Sequence, residues 1–207
     1  MESKRNIRDG LVQQFLRINQ KLFKEAKAPL LCHGPEHHMR VCKYALWLAD
    51  KSGTNIDESV LVPACLLHDI SACRPEEISE SDHHLAGAEM AKERLEKIGY
   101  PPDKIKRITA AISGHRTDHK KQKIEIPEMT ILRDADKIDS FGAVGVVRII
   151  MAETRRNRTL EEIADKWVDH IEAKWKSITF AQSRKKAKAN YLFSKNFFDD
   201  LKNSLSV

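Results

Sequence analysis

Apolar residues in this chain recur at intervals of three and four, and no region shows sustained alternation of apolar and polar positions. A half-buried strand needs alternation, because successive side chains leave opposite faces of a sheet. A helix needs the three-and-four rhythm, which stacks side chains along one stripe. The spacing therefore predicts an all-α fold. Leu11, Phe15, Ile18 and Leu22 mark a first helix, and Val41, Ala45 and Leu48 a second that Gly53 breaks. Asp57 reads as the N-cap of a third that ends near Asp69, with Pro63 early in it. Ser81 or Asp82 precedes a fourth, carrying Ala88, Ala91, Leu95 and Ile98 and closed by Gly99. Ile105, Ile108 and Ile112 mark a fifth, and Pro127 suits the first turn of a sixth. "GAVGVVRIIMA" predicts a tightly packed seventh. Leu160, Ile163, Trp167, Ile171, Trp175 and Ile178 form one stripe, and Ala187, Tyr191, Phe198 and Leu201 mark the last helix. Residues 70–82 and the basic stretch 115–126 read as loops.

The 207 residues are enough to bury a core without disulfides or a structural metal. No repeat, low-complexity segment or flexible linker divides them, so one domain is expected, with the last two helices as a C-terminal cap. "VLVPACLL", the longest apolar run, is far too short to span a membrane. The charged start "MESKRNIRDG" lacks the apolar core of a signal peptide. Cys32, Cys42, Cys65 and Cys73 have no CxxC spacing, and the expectation is reduced, mostly buried thiols in a cytoplasmic protein. The formal net charge of +6 favours encounters with anions such as phosphate esters or nucleic acid.

Eight of the nine histidines lie between residues 33 and 119. They concentrate the chemistry in the first two-thirds of the chain. "HGPEHHMRV", "LLHDIS" and "RDADKIDSFG" are the stretches that stand out. Imidazole nitrogen and carboxylate oxygen together suit divalent transition metals. Adjacent helical residues such as His68 and Asp69 point about 100° apart and meet at one ion only beside a helix end. Asp136 and Asp139, and likewise His37 and Arg40, share a helix face at a spacing of three. Each motif alone is weak. A buried histidine is more often a hydrogen-bonded core residue, and "DADKID" alone is more often a solvated face.

In order and spacing, the set resembles the HD-domain superfamily of metal-dependent phosphohydrolases over about residues 30–150. The matching pieces are His37-x-x-Arg40-Val41, the pair His68-Asp69 in "LLHDI", and Asp136 in "DADKIDSFGAVGVVR". "HHLAGAEMA", with His83 four residues before "GA", and "ISGHR", with His115, also match. The last motif is most similar to a bacterial branch with nucleotide-hydrolysing members. The resemblance implies an HD-type helical bundle, its core at about 30–150, with 151–207 as a helical extension. It implies one or two divalent ions (Mn, Fe, Co, Ni, Zn or Mg) held by His37, His68, Asp69 and Asp136. Asp69 would also orient a metal-bound water, and His83 and His115 would bind a second ion or move protons. Arg40 and Lys137 would meet the substrate phosphate. The substrate would be a phosphorylated small molecule, a nucleotide above all.

Alternatives stay open for several of these residues. His33 or His38 can replace His37, and His84 can replace His83. Arg40 can pair with a site carboxylate, Asp134 can be structural, and Asp139 can orient a ligand histidine. His119 and His170 read as surface residues. One departure is plain: some branches carry a glutamate three residues after the pair, where this chain has Ala72, with Glu76 and Glu77 nearby. Competing functions are a non-hydrolytic binding or regulatory protein of the same fold and a di-iron oxygenase of related fold. A nucleic-acid binder is disfavoured, because "RTDHKKQK" and "SRKKAKANY" lack interleaved aromatic residues. Membrane association is not expected.

Overall fold

The helical spacing becomes helix almost throughout. The computed structural model describes residues 2–75, 82–116 and 126–206. Among these the chain forms α1 (Glu2–Glu25), α2 (Pro35–Ser52), α3 (Glu58–Leu67), α4 (His83–Lys97), α5 (Pro102–Ser113), α6 (Pro127–Asp139), α7 (Gly142–Arg155), α8 (Leu160–Lys176) and α9 (Ala181–Leu205). Short 3-10 turns occupy Leu31–His33 and Ile70–Cys73, and the described residues contain no strand. The fold class is all-α. Ser81, Glu76, Glu77 and His119 lie outside the described residues. No described helix is long and apolar enough to cross a membrane. Two compact units divide the chain, Met1–Arg133 and Asp134–Val207.

In the first unit α3 is the core helix, packed by α1, α2 and α5. Its residues from Val60 to Leu67 are all buried. Asp57 caps it as expected, its carboxylate accepting from Ser59 N–H at 2.9 Å. Pro63 falls in the interior, where it has no N–H for the Ser59 carbonyl one turn back. The Tyr100 hydroxyl donates to that carbonyl at 2.7 Å and replaces the missing bond. At the other end, terminal helix carbonyls need outside partners. Asn19 supplies one, donating from Nδ2 to Leu66 O at 2.7 Å. Asn19 is fully buried between Phe15 and Phe23, so the buried line of α1 is Phe15–Asn19–Phe23. The stripe expected through Ile18 and Leu22 lies to one side of it and is only half-buried.

Gly53, at φ +66°, ends α2 in the left-handed region that favours glycine. Gly87 serves close approach instead. A Cβ built there would lie 2.8 Å from the carbonyl oxygen of His68. Gly87→Ala gains about 1 kcal/mol of helix propensity. It also forces α4 off the turn after α3, and such overpacking costs about 1–3 kcal/mol. Because the clash is with backbone, the clash should win: denaturant titration is expected to show a lower midpoint, and an unchanged or higher midpoint would contradict it.

In the second unit α9 packs on α7 and α8. Ile163, Ile171, Ile178, Ala187, Tyr191 and Phe198 are buried as the stripes predict. Two expectations fail there. Leu160 is exposed, because it is the first residue of α8, beside the Thr159 cap. Helix α7 is packed on one side only: Val146, Ile149 and Ala152 are buried, while Val144, Val147 and Met151 face outward. In the first unit, Ile98 is likewise exposed, because it lies beyond the last turn of α4. Asp134 is structural, accepting the N–H groups of Thr179 (3.0 Å) and Phe180 (2.8 Å) ahead of α9.

Candidate metal centre

Helix α3 ends in apolar residues and delivers His68 and Asp69 into a buried space. Four imidazoles surround the Asp69 carboxylate. Its Oδ2 lies 3.5 Å from His68 Nε2 and 3.8 Å from His37 Nε2. Its Oδ1 lies 3.5 Å from His115 Nε2 and 3.7 Å from His83 Nε2. His37 and His68 also approach each other, Nε2 to Nε2, at 3.2 Å. Helix α2 supplies His37, α4 supplies His83, and His115 follows α5.

The nitrogen–oxygen separations are too long for hydrogen bonds. Asp69 Oδ1 is buried and takes no hydrogen bond among the described residues. A buried carboxylate of that kind is costly unless a cation compensates it. Two donors about 2.1 Å from one tetrahedral ion stand about 3.4 Å apart, close to the spacings seen. His68, Asp69 and His115 each offer a ligand atom within 4.8 Å of one another. The donor set therefore fits a divalent transition metal.

Ring orientation supports the same reading. His68 Nδ1 meets Cys65 O at 2.9 Å and His115 Nδ1 meets Ile112 O at 2.6 Å. A carbonyl accepts only, so each Nδ1 carries a proton, and in the neutral ring Nε2, on the side of Asp69, is the lone-pair nitrogen. Arg133 steadies the turn before His115 by donating to Gly114 O at 2.8 Å and 3.2 Å. Burial pushes the Asp69 carboxyl upward; charge on His68, a hydrogen bond from His115 and charge on His83 pull it well below the usual carboxylate range when those rings are protonated, a part left to a bound cation when they are neutral.

A model of the HD domain matches residues 35–140, about half of the chain. The chain belongs to the HD-domain family. None of the curated proteins compared with it matches. Solved structures do match over nearly its whole length. Bacillus subtilis YpgQ in complex with ADP is 18% identical, with a TM-score of 0.67, covering 93% of this chain and 97% of that one. A predicted HD-superfamily hydrolase from an uncultured Thermotogales bacterium is 25% identical, with a TM-score of 0.59, covering 93% and 92%. An HD-superfamily hydrolase from Bacillus thuringiensis is 16% identical, with a TM-score of 0.67, covering 97% and 99%.

In this HD-domain chain, His37, His68, Asp69, His83 and His115 come together within the first unit. Arg40 lies on α2 one turn after His37, half-buried. Asp136 stands on α6 in the second unit, half-buried, and its carbonyl accepts from the N–H and hydroxyl of Ser140. Lys137 is buried there, and its ammonium donates to Ser177 O at 2.6 Å. Asp139 is paired with Arg148 at 3.0 Å. His170 is exposed, as expected. Ala72 follows the pair in a 3-10 turn and supplies no carboxylate. The four cysteines are buried, and none is in a disulfide among the described residues.

Two supporting residues escape sequence reasoning. Asn19 is one, and its signal is a polar residue in an otherwise apolar register. The other is His38, which reads as a substitute ligand but is a strut. Its Nδ1–H donates to Gly34 O at 2.9 Å and its Nε2 accepts from Asp69 N–H at 3.3 Å. Both ring nitrogens are thereby used. Burial, and then the charge of His68, lowers its pKa from the ordinary 6.5 to about 3. Unfolded His38 gains a proton near pH 6.5, whereas folded His38 stays neutral down to about pH 3. Its contribution to stability is thus full above pH 6.5 and is lost as the pH falls, at about 1.4 kcal/mol per unit. Urea unfolding across that window should show a slope that flattens by about one proton in His38→Gln. Identical slopes would contradict the strut.

Proposed function

We propose that this protein is a metal-dependent phosphohydrolase acting on a nucleotide or a related phosphate ester. The observation that carries the reading is the buried Asp69 carboxylate ringed by four imidazoles, in a member of a family that includes proteins described as hydrolases. The ion would be held by His37, His68 and Asp69, with Asp136 as fourth ligand. Asp136 is proposed from its place in the last HD motif, which the family match includes. A divalent ion bound there would supply a Lewis acid for a phosphoryl oxygen and lower the pKa of a nearby water. Asp69 would orient the attacking water, and His115, when its ring is neutral, would accept that water's proton at Nε2. Arg40 neutralises phosphate charge. Lys137 is assigned to the turn before α9 rather than to substrate, because its ammonium is buried on Ser177 O. A nucleotide is favoured because a similar structure, YpgQ, was solved with ADP.

The test is a panel of nucleoside mono-, di- and triphosphates and simple phosphomonoesters with Mn, Co or Ni. The double variant His68→Ala/Asp69→Ala is the control. Metal-dependent phosphate release by wild type alone is expected. No release above the control on any substrate would overturn the reading, and oxygen-dependent turnover with ferrous iron would favour the oxygenase instead.

A further inference from the structure

The four imidazoles around Asp69 are not alike. His68 and His115 each spend the Nδ1 proton on a backbone carbonyl, which in the neutral ring leaves Nε2 as the acceptor. His83 Nδ1 instead lies 3.3 Å from a terminal nitrogen of Arg116. A guanidinium has five donors and no acceptor, and it does not deprotonate in a protein. Arg116 must therefore donate and His83 Nδ1 must accept. A neutral imidazole that accepts at Nδ1 carries its proton at Nε2. That Nε2 is the atom 3.7 Å from Asp69 Oδ1. His83 is also the open member of the set, its side chain 30% exposed against 0% for His68 and 4% for His115.

We propose that Arg116 is a positioning residue that fixes His83 as its Nε2–H tautomer. His83 then meets an incoming ligand as a hydrogen-bond donor, while His115 beside it offers a lone pair. The two histidines that the sequence places in one class thereby take opposite roles. The donor is suited to a phosphoryl or leaving-group oxygen, and this part rests on the phosphohydrolase reading. The tautomer itself does not.

The experiment is a long-range proton–nitrogen NMR correlation on uniformly ¹⁵N-labelled, metal-free protein, with His83 assigned through His83→Gln. Wild type is expected to show His83 protonated at Nε2 and bare at Nδ1. Arg116→Ala should lose that pattern, and Arg116→Lys, which keeps a cationic donor, should restore part of it. Where the alanine variant disturbs the His68 and His115 signals, Arg116→Met keeps the aliphatic stem without the donor and decides the matter. With substrate, Arg116→Ala is expected to lower kcat by about 10–100-fold at unchanged metal content. A wild-type His83 protonated at Nδ1, or a pattern unchanged when the donor is removed, overturns the inference even with hydrolysis intact. Absence of hydrolysis in wild type would overturn the phosphohydrolase reading and leave the tautomer result standing.

Discussion

Asp69→Asn is expected to cut metal-dependent turnover by at least about 100-fold. Residues that merely orient metal ligands cost 10–100-fold when replaced, and Asp69 would bind the metal itself. Asparagine keeps the shape and removes the charge, so the four imidazoles lose a carboxylate that lies within 3.8 Å of each of them. The scaffold should not suffer. The Oδ1 atom takes no hydrogen bond among the described residues, and above the imidazole pKa, where the four rings are neutral, an amide relieves the metal-free fold of a buried charge with no cation beside it. The metal-free variant should therefore unfold at or above the wild-type denaturant midpoint. A variant that keeps wild-type turnover contradicts the account, and so does one that loses turnover only because it unfolds.

Metal binding should itself stabilise the fold. A ligand at 100 times its dissociation constant adds about 2.7 kcal/mol to the stability of the state that binds it. For a chain of this size each kcal/mol moves Tm by about 2–4 °C. Saturating Mn, Co or Ni should therefore raise Tm by roughly 5–10 °C, and a chelator should reverse the rise. His68→Gln should abolish most of the shift, because its Nε2 lies between His37 and Asp69. His170→Gln, on an exposed ring, should leave it intact. Equal shifts in wild type and His68→Gln would place the binding elsewhere.

The helices were legible because their signals are local. Spacing, the Asp57 cap and the αL glycine at 53 each act within a few residues. The candidate site was legible as a set of letters in a known order, and His37, His68, Asp69, His83 and His115 do come together. What the sequence hid was role, which depends on partners far along the chain. His38 and His37 are adjacent and chemically identical, yet His38 faces Gly34 O and the Asp69 N–H and is spent as a strut. Lys137 reads as a phosphate contact until its ammonium is seen on Ser177 O, forty residues away. Asn19 and Gly87 were silent because the groups they serve, Leu66 O and His68 O, lie on another helix or at its end. The outward face of α7 was misread for a related reason, since small apolar residues satisfy a packed helix and a half-packed one equally.

The central claim is that Asp69 and Asp136 hold one divalent ion with His37 and His68. Elemental analysis of the protein as purified, beside Asp69→Ala and Asp136→Ala, tests it most directly. About one transition-metal ion per chain in wild type, lost from both variants while their helical content is retained, is the predicted result. Stoichiometric metal retained in either variant would contradict it.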